Sequence, residues 1–247
     1  VLQPVIERVF AIAFDTNDTA AWAQTPGTAE RLRASHLLLK SLHRLSLHEK
    51  GLISSRVQQI DSNVAYMFFA STPRQLACVA QRRTEFVGTG HELLPVLTKH
   101  MMAYAKLHYA FVSSFQSHIT KWPSWTEVVE WYWGVLCDAA KDGASVSLHH
   151  DDDDDLVVYP YRWIVLSLKL LHATLDRWQR DRPAGTMFVG TSGAQFELQV
   201  VDVLLKTYLR LTPTDLERWQ AHPEQFAIEE DQGDDELDIR PAAIELC

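Results

Sequence analysis

The sequence predicts an all-α fold in which antiparallel helix pairs stack side by side, and three observations carry that prediction. Apolar residues recur at spacings of three and four in stretches of roughly 12 to 25 residues. Helix-capping signals return ahead of several of these stretches, and none of them is flanked by hairpin turn chemistry that would mark strands. Hydrophobic residues make up 47% of the 247 positions while Gly and Pro number only 10 each, the composition of a packed chain. Amphipathic helices of this length cannot bury their stripes alone and must lie on neighbours, which is the logic of an α-solenoid.

The elements follow in order. Pro4 to Phe14 places Val5, Val9, Phe10 and Ile12 at helical spacing, and the polar run Asp15 to Gly27 reads as an exposed connection. Thr28 to His48 carries Leu32, Leu38, Leu39, Leu42 and Leu45 on one stripe, with Gly51 as its stop. Leu52 to Ala70 is apolar and by periodicity alone reads as strand or helix; its context favours helix. Thr72-Pro73-Arg74-Gln75 sets a cap, a first-turn proline and a capping-box glutamine in sequence, which predicts a new helix ending at Gly88 or Gly90. From His91 to about His118 an amphipathic helix follows a short turn, so the two make a helical hairpin. Pro123 and Ser124-Trp125-Thr126-Glu127 predict another start, with a helix to Lys141; Tyr161 to Arg180 and Gln195 to Arg210 supply two more, the latter after a Gly/Ser/Thr turn from Gly185 to Gly193. The spacing of the pairs is irregular. That fits HEAT-type repeats better than tetratricopeptide or ankyrin units, and the length accommodates roughly five or six at about 40 residues each.

The most specific local text runs from Lys206 to Arg240, KTYLRLTPTDLERWQAHPEQFAIEEDQGDDELDIR. Pro213 ends the preceding helix, Thr214 and Glu217 stand at capping-box spacing, and Leu216 and Trp219 share a face of a short helix that His222-Pro223 stops. Phe226 and Ile228 then anchor an extended arm, and Trp219 and Phe226 serve as the apolar anchors of the motif. This line, LTPTDLERWQAHPEQF followed by EE, an acidic patch and IRPAA, resembles the mid-chain signature of the karyopherin-β (importin-β superfamily) nuclear transport receptors, most of all its importin-11 branch. The likeness covers about thirty residues.

The resemblance implies a HEAT-repeat solenoid from the middle region of a receptor that carries cargo with basic segments through nuclear pores under Ran-GTP control. It implies Ran-GTP, basic protein cargo and the phenylalanine-glycine repeats of nucleoporins as partners, and shuttling between nucleus and cytoplasm. The family's principal Ran-contacting repeats lie toward the N-terminus, and no segment here resembles them. The alternative is a HEAT scaffold that assembles proteins with no transport role. In this reading residues 1–247 form a single solenoid segment, with an acidic inter-helix loop over 142–158 and an acidic inter-repeat connection over 222–238. A start at Val1 inside an apolar periodic stretch predicts a piece of a longer chain.

Charge gives the candidate sites. The net charge is −9, yet His222 to Cys247 alone carries −8 and the run Asp151, Asp152, Asp153, Asp154, Asp155 another −5, so acidity is local. Carboxylates on a loop pair with Lys and Arg of a partner and raise association rate and selectivity. The same run also reads as a solvated insertion, since adjacent carboxylates repel one another. Glu229, Glu230, Asp231, Asp234, Asp235 and Glu236 form the second candidate patch under the same two readings. Localised acidity argues against direct nucleic-acid binding. Consecutive aspartates do not offer the alternating ligands and turn glycine of a calcium loop.

Other chemistry finds little support. Val189 to Gly193 lacks the lysine and flanking strand of a phosphate loop, and no serine sits on a nucleophile elbow, so the chain is not expected to be an enzyme or to hold a cofactor. His36, His43 and His48 share a helix without carboxylate support and read as half-buried structural positions rather than a metal site. Cys78, Cys137 and Cys247 are odd in number and widely spaced, as reduced thiols are. No run of about 18 apolar residues predicts a membrane span, and the N-terminal text lacks a signal-peptide pattern. Most tryptophans read as core, with Trp122, Trp125 and Trp133 clustered closely enough to put one or two on an exposed binding face.

Overall fold

The computed structural model describes residues 2–15, 18–48, 62–119, 123–141, 156–181, 199–232 and 239–246. Among them there are helices and turns and no strand. The chain divides into two compact units, Val1–Trp131 and Tyr132–Cys247.

In the first unit, α1 (Leu2–Ala13) packs on α3 (Thr28–His48) and α4 (Ser62–Phe86), and α5 (Leu94–Ile119) packs on both α3 and α4. The α4–α5 hairpin is the one the sequence predicts. Gly88 and Gly90 carry it at φ of 72° and 67°, a left-handed backbone that side-chain-bearing residues avoid. Leu32, Leu39, Leu76, Val79, Leu97, Met101 and Val112 bury the stripes between these helices.

Two expectations for this unit are corrected. The run Asp15 to Gly27 is not a bare connection: it holds α2 (Thr19–Gln24), whose N-cap is Asp18. The Asp18 carboxylate accepts from the Ala20 and Ala21 amides at 3.0 and 3.1 Å, and Trp22 within α2 is fully buried. A single large aromatic in a polar run gives no period to read, but burying it yields up to about 3 kcal/mol, enough to fix a short helix. Thr72-Pro73 likewise opens nothing, because α4 runs straight through Pro73. Proline has no N–H for the carbonyl four residues back and normally costs about 3 kcal/mol inside a helix. Here Thr72 and Gln75, read as cap residues, are buried instead and bonded to His108 and Tyr104 of α5. Tertiary packing outweighs the local signal.

Helix α6 (Pro123–Lys141) begins one residue ahead of the expected cap at Ser124. Trp125, Val128 and Val129 are buried in the first unit, Tyr132, Trp133 and Leu136 in the second. Trp125 and Trp133 therefore do not form an exposed aromatic face; Trp122 lies outside the described residues.

The second unit is centred on α7 (Tyr161–Asp181), whose Trp163, Ile164, Val165, Leu168, Leu170 and Leu171 are all buried. Trp163 meets Tyr132 edge-on at 5.0 Å. Residues 199–208 are helical and end in a π turn, Leu204–Tyr208, that lets the Tyr208 hydroxyl donate to the Leu136 carbonyl at 2.9 Å. Then come α8 (Pro213–Ala221), α9 (Pro223–Gln232) and α10 (Ile239–Leu246). Helix α10 packs on α7 and touches the π turn, with Ile239, Ala242 and Ala243 buried and the Ile239 amide donating to the Tyr161 hydroxyl at 3.2 Å.

Candidate functional site

The first candidate, Asp151 through Asp155, lies outside the described residues, as do Asp234, Asp235 and Glu236 of the second. Glu229, Glu230 and Asp231 fall on α9. The stretch 222–238, expected as an acidic connection, thus contains a ten-residue helix, and Phe226 and Ile228 are helical rather than part of an extended arm. Pro223 explains this in part. As the first helical residue it supplies a preset φ and gives up only an amide that would be unsatisfied there, while Glu224 favours the positive end of the helix dipole.

The cap of α8 is also two residues earlier than expected. Thr212, not Thr214, is the N-cap, with Pro213 first in the helix and Asp215 completing the capping box. The Asp215 amide donates to Thr212 Oγ1 at 3.1 Å, while the Thr212 amide and hydroxyl donate to Asp215 Oδ2 at 2.8 and 2.7 Å. Arg240, the second residue of α10, donates to the same oxygen at 2.6 Å, and both side chains are largely shielded at 15% exposure. Partial burial pushes the Asp215 carboxyl up, but the Thr212 hydrogen bonds and the Arg240 guanidinium outweigh it and hold the group below its usual range.

Around this joint the side chains face solvent. Leu216 is 39% exposed, Trp219 51% and Ile228 54%. Trp219 is therefore not the buried anchor that the sequence implies. Helices α8 and α9 pack on each other, joined by His222 alone, whose amide donates to the Arg218 carbonyl at 2.8 Å. The sequence contains the signal for this surface: two large apolar residues three apart in a nine-residue helix, set among carboxylates. It does not say whether the chain covers them.

The interior of the first unit holds polar side chains on α5. The His108 ring bonds Thr72 Oγ1 at 2.9 Å, the Tyr104 hydroxyl donates to Gln75 Oε1 at 2.7 Å, and Arg83 donates to Thr98 at 2.8 Å. His100 has no hydrogen bond at either ring nitrogen. It stacks on Tyr104 at 5.3 Å and faces the rings of His36, Phe14 and Phe10 at 6.0, 6.1 and 6.5 Å. Burial pushes His100 and His108 down to about 3, with His36 adding to the effect at His100, and it raises the Tyr104 hydroxyl far above its usual range. These groups are held neutral, as structural side chains are. Burial likewise raises Cys78 and Cys137, both free thiols, Cys137 to about 11. Such thiols stay protonated and make poor nucleophiles.

Among the described residues no group of three or more His, Cys, Asp or Glu is placed to hold a metal ion, and no helix is long and apolar enough to cross a membrane.

No protein-family model and no curated protein matches the sequence. A solved structure does match the fold: Lph2, described as a novel bidirectional nuclear transport receptor in S. cerevisiae, with a TM-score of 0.68 at 21% identity over 98% of this chain. The chain has the fold of a nuclear transport receptor. That fold is a HEAT-repeat α-solenoid, the class predicted from the irregular helix pairs. The chain spans 23% of the length of that receptor.

Proposed function

We propose that this chain is a segment of a karyopherin-β nuclear transport receptor, of the importin-11 kind, that binds cargo with basic segments under Ran-GTP control. The observation behind this reading is the receptor fold extending over 98% of the chain. The line from Leu211 to Phe226 and the acidic runs support it from a separate direction. Binding rather than catalysis is the function. In a stack of repeats, small changes of packing at each repeat add up to a change of curvature, so cargo and GTPase binding can exclude one another without a single hinge. Ran-GTP acts through repeats elsewhere in the receptor, nucleoporin phenylalanine-glycine repeats guide passage, and the receptor shuttles between nucleus and cytoplasm. Asp151 through Asp155, in the loop over 142–158, and the patch Glu229, Glu230, Asp231, Asp234, Asp235 and Glu236 are the proposed sites for basic partners.

The test is a pull-down on the full-length polypeptide containing this chain, with and without Ran locked in its GTP form, beside a variant carrying Asn at 151 through 155. Basic proteins are expected to bind, to leave when Ran-GTP is added and to bind more weakly to the variant. If Ran-GTP changes nothing, transport is excluded and a HEAT scaffold remains.

A further inference from the structure

The α8–α9 arm carries exposed apolar side chains and carboxylates together on two short helices. Among the tryptophans whose burial is described, Trp22, Trp125, Trp133 and Trp163 are buried and Trp131 is half-buried, while Trp219 stands half in solvent. Leu216 lies one turn before it on α8, and Ile228 is exposed on the adjoining α9. A single exposed apolar residue is ordinary, but here three fall on two short helices that pack on each other and are linked by one residue. With Asp215 set against its partner Arg240, residues 213–232 also hold Glu217, Glu224, Glu229, Glu230 and Asp231 against Arg218, a net −4. Glu217 and Glu224 are themselves exposed. The Thr212–Asp215 box and the Arg240 pair hold the base of the arm from within the chain.

We propose that this arm docks a cationic amphipathic helix of a partner protein, whose apolar face covers Trp219, Leu216 and Ile228 and whose Lys and Arg pair with the surrounding carboxylates. Helix-on-helix docking of this kind draws its affinity from a few aromatic and aliphatic anchors, and charge around them sets orientation and partner choice. A second copy of the chain does not fit, because its own arm brings the same negative charge. An uncharged apolar ligand would cover the patch while drawing the carboxylates out of water with nothing to pair them.

The inference rests on reading the chain as a binder of basic segments, not on transport. The probe is a synthetic helix-forming peptide of twenty residues with Leu on one face and Lys/Arg on the other, titrated against the full chain by calorimetry. A control peptide has the same charge and no apolar face. The amphipathic peptide should bind at least tenfold more tightly than the control, and Trp219→Ala should remove about that factor for the first peptide while leaving the control unchanged. Circular dichroism confirms that the variant keeps its helix content, and Leu216→Ala and Ile228→Ala should each give a smaller loss of the same kind. Equal binding of both peptides, insensitive to Trp219→Ala, would overturn the docking site and leave the basic-segment reading standing. Binding of neither peptide removes both. Concentration-dependent self-association abolished by Trp219→Ala would assign the patch to a second copy and overturn the proposal as well.

Discussion

Two short helices, α2 and α8, each carry one tryptophan, and they have opposite fates. Trp22 of α2 is enclosed: its ring lies 5.5 Å from Phe14 and 6.4 Å from Phe86, the Arg82 guanidinium sits 5.1 Å over it, and its indole N–H donates to the Ala13 carbonyl at 2.7 Å. Trp219 of α8 is 51% exposed. Both helices are capped by an acid or hydroxyl side chain, so capping does not separate them. The difference is what passes overhead. Helix α2 is covered by α4 side chains contributed from about sixty residues away, whereas the main neighbour of α8 is α9, next in the chain and itself largely exposed. A tryptophan in a short helix states a need for cover; only the tertiary fold says who supplies it.

Stability should show the contrast most strongly. Trp22→Ala removes a fully buried indole and is expected to destabilise the first unit by about 3–5 kcal/mol in a denaturant melt. Trp219→Ala should stay within about 0.5 kcal/mol, because no cavity forms. Equal losses would show that α8 has cover in solution.

Acid should separate the units next. His100 and His108 stay neutral in the fold down to about pH 3, while in the unfolded chain they take a proton near 6.5. The fold therefore keeps its full stability above about 6.5 and loses it as the pH falls below that value, at up to about 1.4 kcal/mol per pH unit for each histidine. At pH 5 that is about 2 kcal/mol per histidine. His100→Phe should reduce the acid sensitivity by up to about half, since His36 and His43 are also lowered by burial, read as the change in melting midpoint between pH 7 and pH 5; an unchanged slope would exclude His100 as a source. Asp215 acts at lower pH and with the opposite charge. Its lowered value adds stability that is present above the ordinary carboxylate range and fades as the pH falls through the folded value.

The cap should lose less than the buried indole or the two histidines. Thr212→Ala should lower the stability of the second unit by about 1 kcal/mol, seen as faster amide exchange at the first turn of α8. No change in exchange would mean that Asp215 and Arg240 hold the turn unaided.

Much of the fold was legible from periodicity alone. The stripes at 28–48, 91–118 and 161–180 returned as α3, α5 and α7 with ends shifted by a few residues, because an apolar face at spacings of three and four is set by local geometry. The departures share one cause. Pro73 looks like a start, Thr214 like a cap and Phe226 like an anchor of extended chain when only near neighbours are read, and in each case a distant residue or an adjoining signal decides otherwise. Thr72 is claimed by His108 and Asp215 by both Thr212 and Arg240. The candidate surface was legible as composition, through its acids and its Leu216–Trp219 pair, but not as exposure. Exposure is a property of what packs against a residue, and a single sequence carries no record of that.

Asp215 has one more consequence. The carboxylate that opens α8 also grips Arg240, and the residue before Arg240 offers its amide to Tyr161 at the head of α7. In mechanical terms the arm is mounted on a two-residue bracket fixed to the central helix of its unit. Through these two contacts the base of α8 and the head of α7 share neighbouring residues of α10 as anchors.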